Sequence, residues 1–373
     1  SSVATTFDGF PLARSGQPGL ALGIGVWSSF FGGIFSAICL MTLAPQLALI
    51  GLEFHPRDYF MLVIFALTIT ASLAGKKLVK GLIAGAVGLL VRTVGEDDAA
   101  GMARFDFGSE FLLSGFDFIA VLIGLFAFSQ LLSDVRDPDV AKQSLAERGT
   151  IKAKIEHLMA LKEIGKRWTL VIRSATIGVF TGILPGAGGS VANILAYDQA
   201  KKASKEPEKF GTGTPEGIIA PESSNNAVEG GALITLMALG IPGDVTAAVM
   251  LGALLIHDVV PSPSFIGDNP VLAYSIFIAF FIATFMMLGL QTVMLRVFVL
   301  VTKIRMYMLA AVILGFCSIG VFALNNGVFD LWTLVWFGAL GFLMRHLGFP
   351  LAPMILGVVL GDIAELYLAL ALA

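Results

Sequence analysis

The apolar run Trp168–Leu184 has the character of a membrane helix, yet it leads straight into Gly182–Ser190, read GILPGAGGS. A proline and three glycines between Pro185 and Gly189 cannot continue a helix. In hydrocarbon every unpaired backbone group costs several kcal/mol, so such a break is tolerated only where it is buried in protein or lines a wet cavity. A second break of the same kind, GIPG, stands at Gly240–Gly243. Paired interruptions of this sort point to the binding site of a membrane transporter.

The rest of the chain suits that reading. Of 373 residues, 56% are hydrophobic and 14% charged, and the mean hydropathy is +0.86. This length holds about ten segments of roughly 20 residues. The expected fold is all-α: a polytopic membrane protein of about ten transmembrane or re-entrant helical segments with broken helices. A net charge of −3 gives no reason to expect a nucleic-acid partner. Cys39 and Cys317 both lie in apolar runs, and the four histidines show no ligand spacing, so neither a disulfide nor a bound metal is expected.

Ser1–Gly19 is polar and small and reads as a loop or as the exit of an interrupted helix. Leu20–Ile50, Tyr59–Gly75, Leu78–Val94 and Phe111–Ser133 follow as spans, the first bent by Pro45. Trp27 and Tyr59 fit an aromatic belt. Asp134–Arg167 is a charged, helical linker. Basic residues fall on alternate loops: Arg14, then Lys76, Lys77 and Lys80, then the linker. These loops are expected in the cytoplasm, and the acidic loop Gly95–Ser109 outside. The loop carrying Lys201, Lys202, Lys205 and Lys209 is cytoplasmic by the same rule. The chain from Trp168 is therefore expected to enter, turn at Pro185–Gly189 and return as a re-entrant hairpin. Leu272–Leu300, Met306–Leu324, Leu331–Met344 and Leu351–Ala373 are further spans. Residues 1–133, 134–167 and 168–373 form a first transmembrane half, a cytoplasmic linker and a second half.

Four stretches carry chemistry. At Pro185–Ser190 a helix starting at Ser190 leaves N–H groups free for an anion, and Asn193 adds a donor and an acceptor one turn on. The bland alternative is a close helix crossing on small residues. In APESSNN, Ala220–Asn226, a membrane-embedded Glu222 needs a partner, a proton or a cation, and Ser223, Ser224, Asn225 and Asn226 supply oxygens and amides; a headgroup-level loop would be as polar. Glu229 reads as a rim residue. In GIPGDVTAA, Pro242 and Gly243 end one helix and Asp244 or Thr246 caps the next. Ser1, Ser2, Thr5 and Thr6 are either a disordered end or a helix start offered to an anion. Asp117, Asp330, Asp362 and Glu365 read as interfacial or capping. Enzyme motifs fail: the segment after Gly188 lacks the last glycine of G-x-S-x-G, and there is neither a dinucleotide fingerprint nor a P-loop.

The stretch from GILPGAGGSVANILAYDQAKKASKEPEKFGTGTPEGIIAPESSNNAVEGG to GIPGDVTAAVMLGALLIHDVVPSP resembles the large membrane subunit of tripartite tricarboxylate transporters, the TctA family. SSVATTFDGFPLARSGQPGLALGI and LAPMILGVVLGDIAELYLALALA fit it too, so the likeness covers essentially the whole chain. The family has an N-terminal portion ahead of Ser1 with its own broken helix, so the chain is expected to be a fragment. The resemblance implies an inverted-repeat secondary transporter in the bacterial inner membrane that takes up tricarboxylates such as citrate, or related organic acids. It implies a small four-helix membrane subunit like TctB and a periplasmic solute-binding protein like TctC as partners. It implies no cofactor, only Na⁺ or H⁺ as coupling ion. On this pattern Ser1, Ser2, Thr5, Thr6, Pro185, Gly186, Gly188, Gly189, Ser190, Asn193, Pro242 and Gly243 would meet the substrate. Glu222, Asn225 and Asn226 would serve ion coupling. A transporter of a non-carboxylate solute is the alternative, ahead of an intramembrane enzyme or a scaffold.

Overall fold

Apolar residues at helical spacing build helices almost throughout the computed structural model, which describes residues 3–73, 78–96, 102–136, 155–185, 188–301 and 304–372. In chain order these are α1 (Val3–Arg14), α2 (Pro18–Leu52), α3 (Pro56–Leu73), α4 (Leu78–Arg92), α5 (Glu110–Leu113), α6 (Phe118–Ile123) and α7 (Ser129–Arg136). Then come α8 (His157–Gly165), α9 (Trp168–Ile183), α10 (Gly188–Ala203), α11 (Glu216–Leu239), α12 (Val245–Ile256) and α13 (Phe265–Asp268). The last are α14 (Pro270–Val301), α15 (Met306–Asn325), α16 (Val328–His346) and α17 (Leu351–Leu372). A π-helical turn, Gly124–Phe128, joins α6 to α7, and the strands β1 (Gly95–Glu96) and β2 (Ala103–Arg104) pair antiparallel.

Among the described residues five helices, α2 and α14 to α17, are long and apolar enough to cross a membrane. The protein is an all-α, multi-pass membrane protein. α9 has 16 residues and rises about 24 Å, short of a hydrocarbon core of about 30 Å.

By packing, the chain divides into two compact units, Ser1–Glu53 with Ile151–Val297 and Phe54–Thr150 with Phe298–Ala373. The halves expected at 1–133 and 168–373 are halves of a transport topology, which is a different division.

The first unit is organised around α11, which packs on α2, α9 and α10. Small residues let the backbones approach: Gly32 of α2 lies against the carbonyl of Ser223, and Gly178 of α9 against that of Ser224, with no room for a Cβ at either. The first turns of α9 (Leu170, Val171), the last of α10 (Ala196, Ala200), Phe210 and the start of α11 share one apolar cluster. The chain from Trp168 to Ala203 thus goes out and comes back to the same end. α8 docks on α2, where the indole of Trp27 donates to Nδ1 of His157 at 3.2 Å.

The second unit is centred on α17, which packs on α3 and α4. Gly88 of α4 lies against the backbone of Met354 and of Gly357. α16 packs on the π-helical turn, with Gly338 beside Phe128.

Several expectations change. Ser1–Gly19 is helix from Val3 to Arg14, because Ala4, Asp8 and Leu12 recur every four residues and all are buried. The polar APESSNN is neither a loop nor a break: α11 runs through it unbroken. Pro221 sits near the helix start, where it removes a single i→i−4 bond. Trp27, half-buried, holds α8, and Tyr59 is buried and stacked on Tyr367 with ring centroids 4.5 Å apart. Asp362 lies mid-helix in α17, paired with Arg92, rather than near an end. Asp117 does cap α6 by accepting from the Ala120 N–H at 2.8 Å.

Candidate functional site

α9 ends at Ile183 and α10 begins at Gly188, whose φ of +57° suits glycine. The second break begins where α11 ends on Gly240, also left-handed at φ +75°. The two interruptions meet. Gly243 lies against the carbonyl of Gly182 and against Ala232, with no room for a side chain. A Cβ on Gly188 would sit 3.8 Å from that of Asp244. Asp244 is buried and caps α12, accepting from the Ala247 N–H at 2.9 Å.

Glu222 lies about three turns before Ala232, the residue of α11 at this meeting point. Its Oε1 accepts from Thr5 Oγ1 at 2.7 Å and its Oε2 from Ser29 Oγ at 2.8 Å. The carboxylate therefore ties α1 and α2 to α11 through neutral donors. Asn226 donates to the Glu222 carbonyl at 3.4 Å, and Asn225 is half-buried beside it. Residues 222, 225, 226 and 229 fall on one stripe of the helix. At its far end Glu229 has no hydrogen-bond donor or cation among the described residues, and it feels the charge of Asp244. It stands three residues before Ala232, on which Gly243 of the second break packs.

Asn193, on the second turn of α10, is fully buried, and neither its Oδ1 nor its Nδ2 has a hydrogen-bond partner among the described residues. The hydroxyls of Ser28 and Ser223 are also buried and unpartnered. Buried polar atoms are nearly always satisfied, and each that is not costs about 1–3 kcal/mol. Ser223 is on α11 itself, and Ser28 and Asn193 are on α2 and α10, which pack against it.

Of the residues singled out from sequence, Thr5 and Glu222 are joined directly. Gly188, Gly189 and Asn193 lie on the first two turns of α10, and Pro242 and Gly243 lie in the buried turn packed on α9 and α11. Pro185 is in the turn after α9, and Thr6 is exposed on α1. Ser1, Ser2, Gly186 and the side chain of Ser190 lie outside the described residues. No group of three His, Cys, Asp or Glu able to hold a metal ion is found among the described residues.

Sequence reasoning missed Ser29 and Asp8. Ser29 is one hydroxyl in a long apolar span, and nothing in its surroundings marks it. Asp8 is fully buried, and its carboxylate accepts from the N–H groups of Gly211, Gly213 and Thr214 and from Tyr197 Oη. The signal that would have found it is its place in the Ala4, Asp8, Leu12 stripe.

Comparison with known proteins places the chain in a family. The model of the tripartite tricarboxylate transporter TctA family matches residues 1–356. An Agrobacterium vitis protein described as "Uncharacterized 52.8 kDa protein in TAR-I ttuC' 3'region" is 34% identical over 99% of this chain and 72% of its own length. A second from the same organism, "Uncharacterized protein in TAR-II ttuC' 3'region", is 35% identical over 51% of this chain and 79% of its own length. No solved structure matches. With the family's pattern running through both helix breaks and the polar stripe of α11, the chain belongs to the TctA family of tripartite tricarboxylate transporters.

Proposed function

We propose that this chain is the cation-coupled membrane subunit of a carboxylate uptake system. The observation that carries the reading is Asn193: a fully buried carboxamide with both polar atoms unpartnered, one turn inside a helix that starts at a break. An amide offers two donors and two acceptor sites, and the free N–H groups of the helix start favour an anion. A carboxylate cargo accepts from Nδ2 and from the helix-start N–H groups, and a hydroxyl of the cargo or a cation beside it meets Oδ1. Pro185–Ser190, Pro242 and Gly243 line the cargo site from the second half of the transporter. Ser1, Ser2, Thr5 and Thr6 line it from the first, as in inverted-repeat carriers.

Glu222, Asn225 and Asn226 take the coupling cation, Na⁺ or H⁺. Because Glu222 is held by hydroxyls rather than by an arginine, its negative charge is not cancelled. The complete system adds a small four-helix membrane subunit and a periplasmic solute-binding protein that delivers the acid, all at the bacterial inner membrane.

The test is uptake of labelled citrate by the complete system in vesicles, with and without a sodium or proton gradient. Uptake that rises with one gradient and is competed by other organic acids is expected. Transport that no organic acid competes removes the carboxylate reading and leaves the non-carboxylate carrier.

A further inference from the structure

The loop between α10 and α11 is shaped as a receptor for an anion, and the chain fills it with its own carboxylate. Gly211 (φ +90°) and Gly213 (φ +108°) turn their N–H groups inward, the arrangement that makes a concave anion nest. Asp8 Oδ1 takes the N–H of Gly211 at 2.9 Å, of Gly213 at 2.8 Å and of Thr214 at 2.9 Å. Oδ2 takes Gly211 N–H at 3.0 Å and the Tyr197 hydroxyl at 2.9 Å. Asp8 is fully buried, and Gly217 packs so closely on its carboxyl that no side chain fits there. A buried charge is tolerable only with such a full set of charge-assisted bonds.

The three pieces joined here matter. Asp8 belongs to α1, one turn beyond Thr5, whose hydroxyl holds Glu222. Tyr197 belongs to α10, which starts at Gly188 beside Asp244. The nest leads into α11, which carries the polar stripe. Rings reinforce the junction: Phe7 meets Tyr197 edge-on at 5.4 Å, and Tyr197 meets Phe210 likewise at 5.4 Å.

We infer that Asp8 is a positioning residue that yokes α1 and α10, the two helices that start at the candidate site, so that they move as one body during transport. Neither helix start then shifts against Glu222 or Asp244 without the other. The yoke is read from the fold, and its role in transport rests on the proposed carboxylate carrier.

The test places nitroxides at Arg14 and Lys201, both exposed, in the full-length protein in nanodiscs, with Cys39 and Cys317 replaced by serine. Pulsed electron spin resonance reads the distance with and without citrate. One narrow distance is expected in the parent under both conditions. Asp8→Asn turns an amide NH₂ against the N–H donors at nearly constant volume. It should broaden the distribution in folded protein and lower the initial uptake rate about tenfold, the worth of one charge-assisted hydrogen bond. Tyr197→Phe removes one donor and should broaden it less, with about a twofold loss. A parent-like width in both variants overturns the yoke, and if Asp8→Asn does not fold, a parent-like width in Tyr197→Phe does so alone. Broadening in Asp8→Asn while even the parent moves no organic acid leaves the yoke standing and removes the carboxylate carrier instead.

Discussion

α11 and α17 solve the same packing problem and treat their acids in opposite ways. Each is the most enclosed helix of its unit, each carries a proline near its start, and each lets neighbours in through glycine. On α17, Asp362 pairs with Arg92 and Glu365 with Arg104, both through two-pronged contacts, and the side chains of all four are about a third to a half exposed. On α11, Glu222 is held only by two hydroxyls, and Glu229 has no cation partner among the described residues. An arginine cancels the charge it binds, and its fork leaves no room for a rival cation. Hydroxyls satisfy the lone pairs and leave the charge in place. Packing alone therefore does not separate these two helices; the chemistry of the donors does.

The sharpest way to break this contrast is the same substitution on each helix. Glu222→Gln keeps the shape, because the Ser29 and Thr5 hydroxyls can turn to accept as well as donate. It is expected to cost about 1 kcal/mol of stability. The dependence of citrate uptake on the cation gradient should fall about tenfold or more, while the substrate concentration for half-maximal uptake changes little. Initial rates over a series of sodium concentrations and pH values measure it. Unchanged cation dependence would make Glu222 a clamp between α1, α2 and α11 and nothing more.

Glu365→Gln is the control with a smaller effect. The Arg104–Glu365 pair is partly solvated, with side chains 30% and 32% exposed, so its loss should cost about 0.5–1 kcal/mol. Uptake per folded molecule and its cation dependence should match the parent. If Glu365→Gln shifts the cation dependence as Glu222→Gln does, the distinction between hydroxyl-held and arginine-held acids fails.

How much of this was legible in advance follows from the range of each interaction. The helix breaks at Pro185–Gly189 and Pro242–Gly243 are local, set by residues that cannot carry a helix, and they read directly. Their meeting depends on Gly182, Gly243 and Ala232 fitting together, which spacing along the chain does not encode. APESSNN misled because polarity looks like a loop; its periodicity, with Glu222, Asn225, Asn226 and Glu229 on one stripe, is that of a helix with one polar face. Asp8 and Ser29 act on residues about two hundred positions away, so no local pattern names their partners.

The last and smallest test lies where the first unit itself uses arginine. At the open end of the hairpin Arg167 donates to Glu163 at 2.5 Å and to Glu216 at 2.6 Å, and Lys166 donates to Glu163 at 2.6 Å. The Lys166 hydrogen bond, and then those of Arg167, hold the Glu163 carboxyl below its ordinary value of 4.5, against burial, which pushes it up. A carboxyl depressed in the folded state stabilises fully above its unfolded value and loses that contribution as pH falls through the folded one. The Glu163 side chain is 20% exposed and that of Lys166 55%, so solvent screening limits the effect to about 0.5 kcal/mol. Thermal midpoints of the parent and of Glu163→Gln, compared from about pH 6 down to about pH 3, should differ at the upper end and converge at the lower. A gap that stays constant across that range would mean Glu163 holds α8 by shape, and that an arginine-held acid in this unit adds nothing through its charge.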